Sequence, residues 1–393
     1  MIKSYYEKGV RESMLVLPNW LQPILTRITG KALEGKRFNV ISPSIYLFTT
    51  VLYLFFSFLL PFLVFLFGTS YWYWVLGILC PICWLVAIGQ MRKLQVVIGH
   101  HCVHKAFLPR YSKYNDLILE FISTFILVQS AVEYRRDHLR HHSKNRFTTI
   151  EDADAAFLFS LGFKPGISIE NSWKLLWKTI FSLNFHFSFF FTRLKSSLGN
   201  ERTIWWKIIT FVWVVFLFIG LPLKLGVLPV LIVVWLPVIF GYQCSALLQF
   251  LTEHAWLTSE KAPEGKNNYA LYSWGRFIGE RCPITVNLNV ISSYYLWFKW
   301  YIRMIFIHTP VRISCLVGDL PVHDWHHLAG FIGGDPSNWQ CSLFERQLMI
   351  DDLSSPPLAK NMANQELWGL KNMLNHSFSI LESRDVPRSH FCI

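Results

Sequence analysis

The feature that most limits the fold of this 393-residue chain is a long uncharged run, because no Asp, Glu, Lys or Arg occurs between Phe38 and Met91. A helix needs about 20 apolar residues to cross a hydrocarbon core about 30 Å thick, so the run is too long for one crossing and suits two. The tripeptide Gly-Thr-Ser at 68–70 supplies a turn. The run therefore predicts a hairpin of membrane-spanning helices at about 45–67 and 71–91.

A second apolar stretch follows later in the chain and is interrupted near Pro222 and Gly226. Its two arms predict further spans at about 204–221 and 226–251. Composition agrees, since 52% of the residues are hydrophobic and only 16% are charged, which is unlike a soluble domain. The predicted fold class is an all-α integral membrane protein, with four transmembrane helices in two hairpins and a cytoplasmic helical cap.

The basic residues indicate the topology. Seven Lys and Arg residues precede the first hairpin, sixteen lie between the hairpins and twelve follow the second. By the positive-inside rule, this distribution places both termini and the central segment in the cytoplasm, and we expect the basic excess to set topology rather than to bind nucleic acid. We expect a basic N-terminal segment at 1–39, a membrane domain at 40–333 and a cytoplasmic tail at 334–393. A bacterial inner membrane and the endoplasmic reticulum both remain open.

Three further segments are predicted to be helical without spanning the membrane. Residues 121–132 are too few to cross, so a re-entrant or interfacial helix is expected there. Residues 291–307 carry Lys299 and Arg303 in their middle, which favours an interfacial helix over a fifth span. One helix is expected in the tail, at 365–381.

Histidine spacing is the strongest indication of chemistry. Three histidines between the hairpins fall at i, i+3 and i+4, which aims three imidazoles from one helix face. The spacing recurs after the second hairpin, a pair one turn apart follows the first hairpin, and a ninth histidine ends the last span. These residues are His138, His141 and His142; His323, His326 and His327; His100 and His104; and His254. Because nine imidazoles exceed what one metal ion needs, we expect two ions to share a site.

Reaction chemistry narrows the choice of metal. Imidazole suits zinc, copper, iron and nickel alike, so spacing alone does not select the ion. A polar site at the mouth of a lipid-facing helix bundle suggests a long apolar substrate. Attack on unactivated C–H bonds requires an oxidant made from oxygen, and non-haem iron is the usual source. A non-catalytic carrier of haem or metal ions is the alternative from another class, but the spans contain almost no ionisable residues for a transport site.

The histidine boxes, their order and the two hairpins resemble the membrane fatty-acid desaturase and hydroxylase superfamily, over about residues 40–330. The resemblance implies a di-iron centre with all nine histidines as ligands, although His254 is matched only as an isolated residue. It also implies O2 as co-substrate and electrons from a separate donor such as ferredoxin or a cytochrome b5 chain. The reaction would insert a double bond or a hydroxyl group into a fatty acyl, alkyl or related lipid chain.

Details of the boxes bear on which product is made. The pair Glu253-His254 and Lys105 after the first box resemble alkane hydroxylases, whereas the two residues between His138 and the following histidine pair resemble desaturases. Phe250 stands where stearoyl-type desaturases carry an Asn that holds an iron-bound water. We therefore expect a desaturase, with a hydroxylase as the alternative.

Other polar residues near the boxes could assist the ligands. A metal-bound histidine usually donates its second ring N–H to a carboxylate or carbonyl group, although a surface role is equally expected for any one nearby acid. His101 is expected to lie beside the site, not in it. The candidate acids are Glu133, Asp137, Asp152, Asp154, Asp319 and Asp324. The histidines that fit no box, and are expected to be structural or exposed, are His186, His308, His376 and His390.

Overall fold

The computed structural model describes residues 9–33, 40–68, 72–143, 145–257 and 272–384. The described chain is mostly helical, with two very short strands. The helices are α1 (Val10–Ser13), α2 (Gln22–Thr29), α3 (Pro43–Phe67), α4 (Tyr73–Val103), α5 (Ser112–Phe125), α6 (Ala131–His141), α7 (Ala153–Ser160), α8 (Ile169–Ile180), α9 (Leu183–Ser197), α10 (Ile204–Leu225), α11 (Val227–Glu253), α12 (Val290–Arg303), α13 (Thr309–Ser314), α14 (His323–Ile332), α15 (Ser342–Asp351), α16 (Pro357–Ala363) and α17 (Leu370–Ser383).

Four helices among the described residues are long and apolar enough to cross a membrane: α3, α4, α10 and α11. The prediction of four spans in two hairpins is confirmed. The helix α4 has 31 residues and α11 has 27, so at about 1.5 Å per residue both exceed a hydrocarbon core of about 30 Å. Because charged residues return only near their C-terminal ends, at Arg92 and Glu253, these ends are expected to extend beyond the membrane. The helix α4 continues well past the predicted end of the span at residue 91.

The last turns of α4 have a special geometry. Residues Leu94–Gly99 form a π-helical turn directly before His100. Such turns insert an extra residue into a helix and are frequent at functional sites. Earlier in α4, a Cβ added to Gly89 would lie only 1.9 Å from the carbonyl oxygen of Ile313, so only glycine lets α13 pack this closely. The helix α13 is thus fixed against the end of α4 from which the first histidines project.

The short helices after α4 differ from the prediction. The segment 121–132 is not one helix, because α5 ends at Phe125 and a turn separates it from α6. Ser130 begins α6, since its side chain accepts a hydrogen bond from the backbone N–H of Glu133. A turn thus precedes the helix that carries the second histidine box. In this arrangement α6 presents its histidines beside those of α4.

The predicted helix at 291–307 is present as α12, which continues through a π-helical turn at Met304–His308 into α13. Asn289 caps its start by accepting a hydrogen bond from the backbone N–H of Ser292. The helix α12 leaves large apolar side chains exposed, among them Ile291 and Phe298. This surface agrees with the expectation of an interfacial helix.

The C-terminal segment forms one strand of a pair that the sequence pattern does not predict. The strands β1 (Gly275–Phe277) and β2 (Glu366–Trp368) pair in parallel. The prediction of one helix over 365–381 is therefore wrong at its start, because the helix α17 begins only at Leu370. Gly369 separates β2 from α17 with a φ of 79°, a conformation that glycine adopts without steric cost. The strand pair ties the C-terminal segment to the chain that follows α11.

Candidate metal centre

The structure brings all nine box histidines together at one end of the four spans. The end of α4 carries two of them, α6 and its C-cap carry three, α14 carries three, and the last follows the final residue of α11. They form two groups, and within each group the potential ligand atoms lie within 4.8 Å of one another. We call His100, His104, His138, His142 and His326 the first cluster, and His141, His254, His323 and His327 the second cluster.

The first cluster is formed by close approaches between Nε2 atoms from three parts of the chain. The Nε2 atoms of His104 and His138 are 2.8 Å apart, and those of His100 and His326 are 2.9 Å apart. The Nε2 atom of His142 lies 3.1 Å from that of His138 and 3.2 Å from that of His326. Five nitrogens of one chemical kind thus converge on one small volume.

The second cluster lies directly beside the first. The Nε2 atoms of His323 and His327 are 3.1 Å apart, and the rings of His141 and His254 have centroids 5.0 Å apart. The ring of His142, in the first cluster, stacks on that of His327 at 4.5 Å. The two clusters therefore form one continuous site.

The nitrogens are suited to hold cations. Two nitrogens bound about 2.1 Å from one ion, at right angles to each other, lie about 3 Å apart, which is the spacing seen in both clusters. Burial, followed by the nearby imidazoles, keeps the pKa of His138 and His326 well below the usual value. Burial likewise lowers the pKa of His104 to about 4. Neutral imidazoles keep a lone pair available for a metal.

His141 is supported by a buried carboxylate. Its Nδ1 lies 2.9 Å from Oδ2 of Asp152, a residue with no exposed side-chain surface. Burial alone lowers the pKa of His141, but the charge and hydrogen bond of Asp152 outweigh it and raise the pKa to about 9. Asp152 is itself held by the backbone N–H groups of Thr148 and Asp154. This arrangement fixes the ring and leaves Nε2 of His141 facing the second cluster.

His254 is held from behind in a similar way. Its Nδ1 lies 3.0 Å from the hydroxyl oxygen of Ser273 and 3.3 Å from the carbonyl oxygen of Tyr272. Its Nε2 is buried and makes no hydrogen bond with any residue that the structure describes. A buried polar atom without a partner is costly, and a metal ion in the second cluster would satisfy it.

One carboxylate also reaches the second cluster. Oε1 of Glu253 lies 3.2 Å from Nε2 of His323, and the carboxylate is only 5% exposed. Gln249 donates a hydrogen bond of 2.8 Å to the other oxygen of Glu253, and the guanidinium of Arg276 lies 3.6 Å away. In the sequence, Glu253 stands out only as half of the Glu-His pair. Its contact with His323 is not predicted, because nothing in the spacing connects the two residues.

The remaining acids near the boxes serve other purposes. Asp319 lies 2.9 Å from Nε2 of His101, whose ring stacks on Trp339, and so His101 lies beside the clusters as expected. Glu133 bonds to Ser196, and Asp137 bonds to Gln129. Neither of these two carboxylates orients an imidazole.

Asp324 lies next to His323 in the chain but points away from the clusters. The guanidinium of Arg346 binds both of its carboxylate oxygens and also bonds to Glu366 in β2. Arg346 and Asp324 are each 1% exposed, and removing Arg346 would leave the buried carboxylate of Asp324 without its partner. The C-terminal segment therefore holds the start of α14, and its histidines, in position.

A cavity system adjoins the histidines. A small cavity of about 80 Å³ is lined by His100, His138, His141 and His323. A larger one of about 870 Å³ lies beside it, between α4, α6, α9 and α11. The two share part of their lining, namely Gln95, Gln129, Asp137, Ala153, Asp154, Phe250. An elongated molecule in the larger cavity would thus reach the edge of the site.

The histidines outside the boxes also lie outside the clusters. His186 is buried and hydrogen-bonds through its two ring nitrogens to Gln243 and to the carbonyl group of Ile180. His308 lies 3.9 Å from Glu280, and His376 packs edge-on against Trp274. His390 lies outside the described residues.

Comparison with known proteins supports the site independently. A family model described as "Fatty acid desaturase" matches residues 74–280, just over half of the 393 residues. The match includes the first two histidine boxes and His254, and it ends before the third box. No curated protein and no solved structure matches the chain. The third box is therefore joined to the others by geometry rather than by this comparison.

Proposed function

Because this chain belongs to the fatty acid desaturase family, we propose that it is a membrane oxidoreductase that uses two iron ions and O2 to introduce a double bond into a fatty acyl or related lipid chain. The observation that carries the proposal is the convergence of nine imidazoles into adjacent groups of five and four. As a member of an oxidoreductase family the chain is an enzyme, so we do not retain the hypothesis of a carrier.

The first cluster would hold one iron ion and the second cluster the other. Their histidines are His100, His104, His138, His142 and His326 for the first ion, and His141, His254, His323 and His327 for the second. Iron bound there would supply, with O2, the oxidising power needed to remove hydrogen from unactivated carbon. Imidazole is a suitable ligand for iron. Asp152 and Ser273 support the proposal because each fixes the ring of one histidine from behind.

The chain's own residues would hold the substrate beside this site. The larger cavity, of about 870 Å³, falls in the range of ligand cavities. Aromatic side chains line it, including Phe157, Phe189 and Phe250, and these suit an apolar chain. Arg193 and Lys195 line the larger cavity but not the small one at the histidines. A lipid would therefore lie with its chain near Phe250, which borders both cavities.

Lys105, one of the two features that favour hydroxylation, has a structural role instead. Lys105 resembles the corresponding residue of alkane hydroxylases, but its ammonium forms an ion pair with Asp116 at the surface. Glu253, the other such feature, does reach the second cluster. The two-residue spacing within the second box remains and supports desaturation, and hydroxylation of the same chain is the alternative.

Four spans make this an integral membrane protein. We propose that the histidine site and both termini face the cytoplasm, because the basic residues gather in those segments. We also propose that a separate protein, such as ferredoxin or a cytochrome b5 chain, supplies electrons.

Expression of the chain with a matched reductase, followed by mass spectrometry of the host lipids, tests the function. We expect acyl chains that have lost two hydrogen atoms, and deuterium-labelled precursors would locate the new double bond. Chains that instead gain one oxygen atom would establish the hydroxylase. An unchanged lipid profile, with iron and reductase both present, would contradict both reactions.

The contact between Asp152 and His141 gives a specific prediction. Asp152→Asn keeps the shape of the side chain but removes its charge, so the iron affinity of the second cluster is expected to fall about 10- to 100-fold. Competition with a chelator measures this affinity. Glu151→Gln is the matched control, because Glu151 is exposed and pairs with Arg146. Equal iron retention in both variants would show that Asp152 does not support a ligand.

A further inference from the structure

A second large cavity lies apart from the histidine clusters. It has a volume of about 770 Å³ and shares no lining residue with the two cavities at the histidines. It is enclosed by α2, α4, α13 and the segment around α15. The residues that line it are Thr26, Arg27, Ile41, Tyr46, Val86, Gln90, Lys93, Arg312, Ile313, Val317, Gly318, Asp319, Trp339, Gln340, Leu343, Phe344.

The charge balance of this cavity is positive. Lys93 contacts the face of the Tyr46 ring, with its ammonium 5.9 Å from the ring centroid, but it forms no ion pair with any described residue. Arg312 lines the same cavity. Among the described residues of the lining, the one carboxylate belongs to Asp319, which bonds to His101. Lys93 and Arg312 outnumber this carboxylate, and an excess of partly buried positive charge is unfavourable, so the cavity favours a negatively charged ligand.

Gln90 contributes an amide group with unused hydrogen-bonding capacity. It is only 8% exposed, it lines the cavity, and its side-chain oxygen makes no hydrogen bond with the described residues. The amide oxygen and nitrogen of glutamine can exchange places by a flip of the side chain. The same group could therefore donate its N–H to an anion. Gln90 and Lys93 are three residues apart on α4, so they lie on one face of the helix.

Arg312 is held in place with donor capacity left over. Its Nε donates to the carbonyl oxygen of Arg27 at 2.9 Å, and one Nη donates to that of Gly318 at 2.7 Å. The other Nη donates to the carbonyl oxygen of Leu316. A guanidinium has five N–H groups, so two remain for a ligand. The group is thus fixed in position before any ligand arrives.

The cavity lies at the boundary of the membrane. Lys93 is the second charged residue after the uncharged run that ends at Met91, so it marks the level at which α4 leaves the hydrocarbon core. Val86, about two turns earlier, lines the cavity on the apolar side. Ile41 and Ile313, which also line the cavity, are exposed at the surface. A ligand here would have a polar end near Lys93 and an apolar end toward the lipid.

We propose that this cavity binds the anionic head group of a membrane phospholipid through Lys93, Gln90 and Arg312, with part of an acyl chain against Val86 and Ile313. The phosphodiester of an anionic phospholipid supplies oxygen acceptors and a negative charge that no cation of its own head group offsets. The choline group of phosphatidylcholine would instead add a positive charge beside Lys93 and Arg312. The apolar walls distinguish an anionic phospholipid from a free anion, since inorganic phosphate would leave them without contact. The site is independent of the substrate cavity and of the proposed reaction.

Thermal unfolding of the delipidated, iron-loaded protein in detergent tests this site. Phosphatidylglycerol is expected to raise the melting temperature, whereas phosphatidylcholine with the same acyl chains and inorganic phosphate are not. Lys93→Gln is expected to weaken the phosphatidylglycerol effect about tenfold in apparent affinity, because a hydrogen bond to a charged group is lost. Native mass spectrometry would count the bound lipid directly.

The controls separate binding from folding. Lys113→Gln removes a lysine that also contacts a tyrosine ring, with 5.3 Å between the Lys113 ammonium and the Tyr114 ring centroid, but lies outside the cavity. It should keep the full lipid effect. Without lipid, Lys93→Gln and Gln90→Leu should be about as stable as the parent protein, since Lys93 forms no ion pair with a described residue and the side-chain oxygen of Gln90 accepts no hydrogen bond from one.

Four results would overturn the proposal. Three of them are an undiminished phosphatidylglycerol effect in Lys93→Gln, an equal effect of phosphatidylcholine on the parent protein, and an equal loss of the effect in Lys113→Gln. Stabilisation by inorganic phosphate as strong as that by the lipid would also overturn it, because it would indicate a site for free anions.

Discussion

Replacing His326 by alanine is expected to reduce lipid oxidation below detection and to remove iron from the first cluster. Its Nε2 lies 2.9 Å from that of His100 and 3.2 Å from that of His142, so it joins ligands on α4, α6 and α14. An alanine there leaves the first iron with one ligand fewer and opens the site to water. His141→Ala is expected to have the same effect at the second cluster. Iron content per chain, measured beside turnover, reports both losses.

The matched control for these variants is His308→Gln. His308 is a buried histidine that lies 3.9 Å from Glu280 and belongs to neither cluster. This variant should retain two iron ions per chain and its turnover. Membrane expression of all three proteins should be similar, because a metal site at one end of the bundle is not required for the four spans to insert. Full turnover and full iron content in both alanine variants would refute the ligand assignment.

The histidine site could be predicted from the sequence because the spacing of residues along a helix determines which side chains share a face. Histidines at i, i+3 and i+4 must share a face, as His138, His141 and His142 do on α6 and its C-cap. The spacing does not predict which of these neighbouring histidines would bind which of the two metal ions. His141 belongs to the second cluster, whereas His138 and His142 belong to the first. That division depends on the angle between helices, which local sequence does not encode.

The partners of the histidines were less predictable. Six acids lie near the boxes in sequence, yet in the described structure Asp152 is the one that holds a cluster histidine at hydrogen-bond distance. Glu133 and Asp137 lie on α6 itself, but their carboxylates point toward Ser196 and Gln129. Ser273 supports His254 from 19 positions away, so no local pattern could identify it.

The membrane-spanning helices could be predicted from the length of the apolar runs, whereas the exact helix ends and the strands could not. Uncharged runs of the right length identified the four spans. The continuation of α4 to Val103 is not predicted by hydrophobicity, because the first charged residue, Arg92, ends the apolar run. The helix itself continues past that residue. The strand Glu366–Trp368 was read as helix, since it exists only through its pairing with Gly275–Phe277. Such long-range pairing leaves no periodic signal in three residues.

Filling the larger cavity is the second substitution with a large expected effect. Ala246 lies on α11, one turn before Phe250, and lines the cavity. Ala246→Phe would place a phenyl ring where the lipid chain is expected to pass, so turnover should fall below detection. The iron ligands do not involve Ala246, and therefore two iron ions per chain should remain. Iron content and turnover, measured on one preparation, separate a blocked substrate path from a damaged metal site.

Ala363→Phe is the control for the added ring, because Ala363 ends α16 on an exposed surface and lines none of the cavities described above. It should leave both iron content and turnover unchanged. If Ala246→Phe keeps full turnover on the same substrate, the acyl chain of the substrate does not occupy this cavity. A buried phenyl ring and an acyl chain cannot share one volume in a close-packed interior. The substrate would then have to reach the histidines by another route, and the aromatic lining at Phe157 and Phe189 would be structural packing.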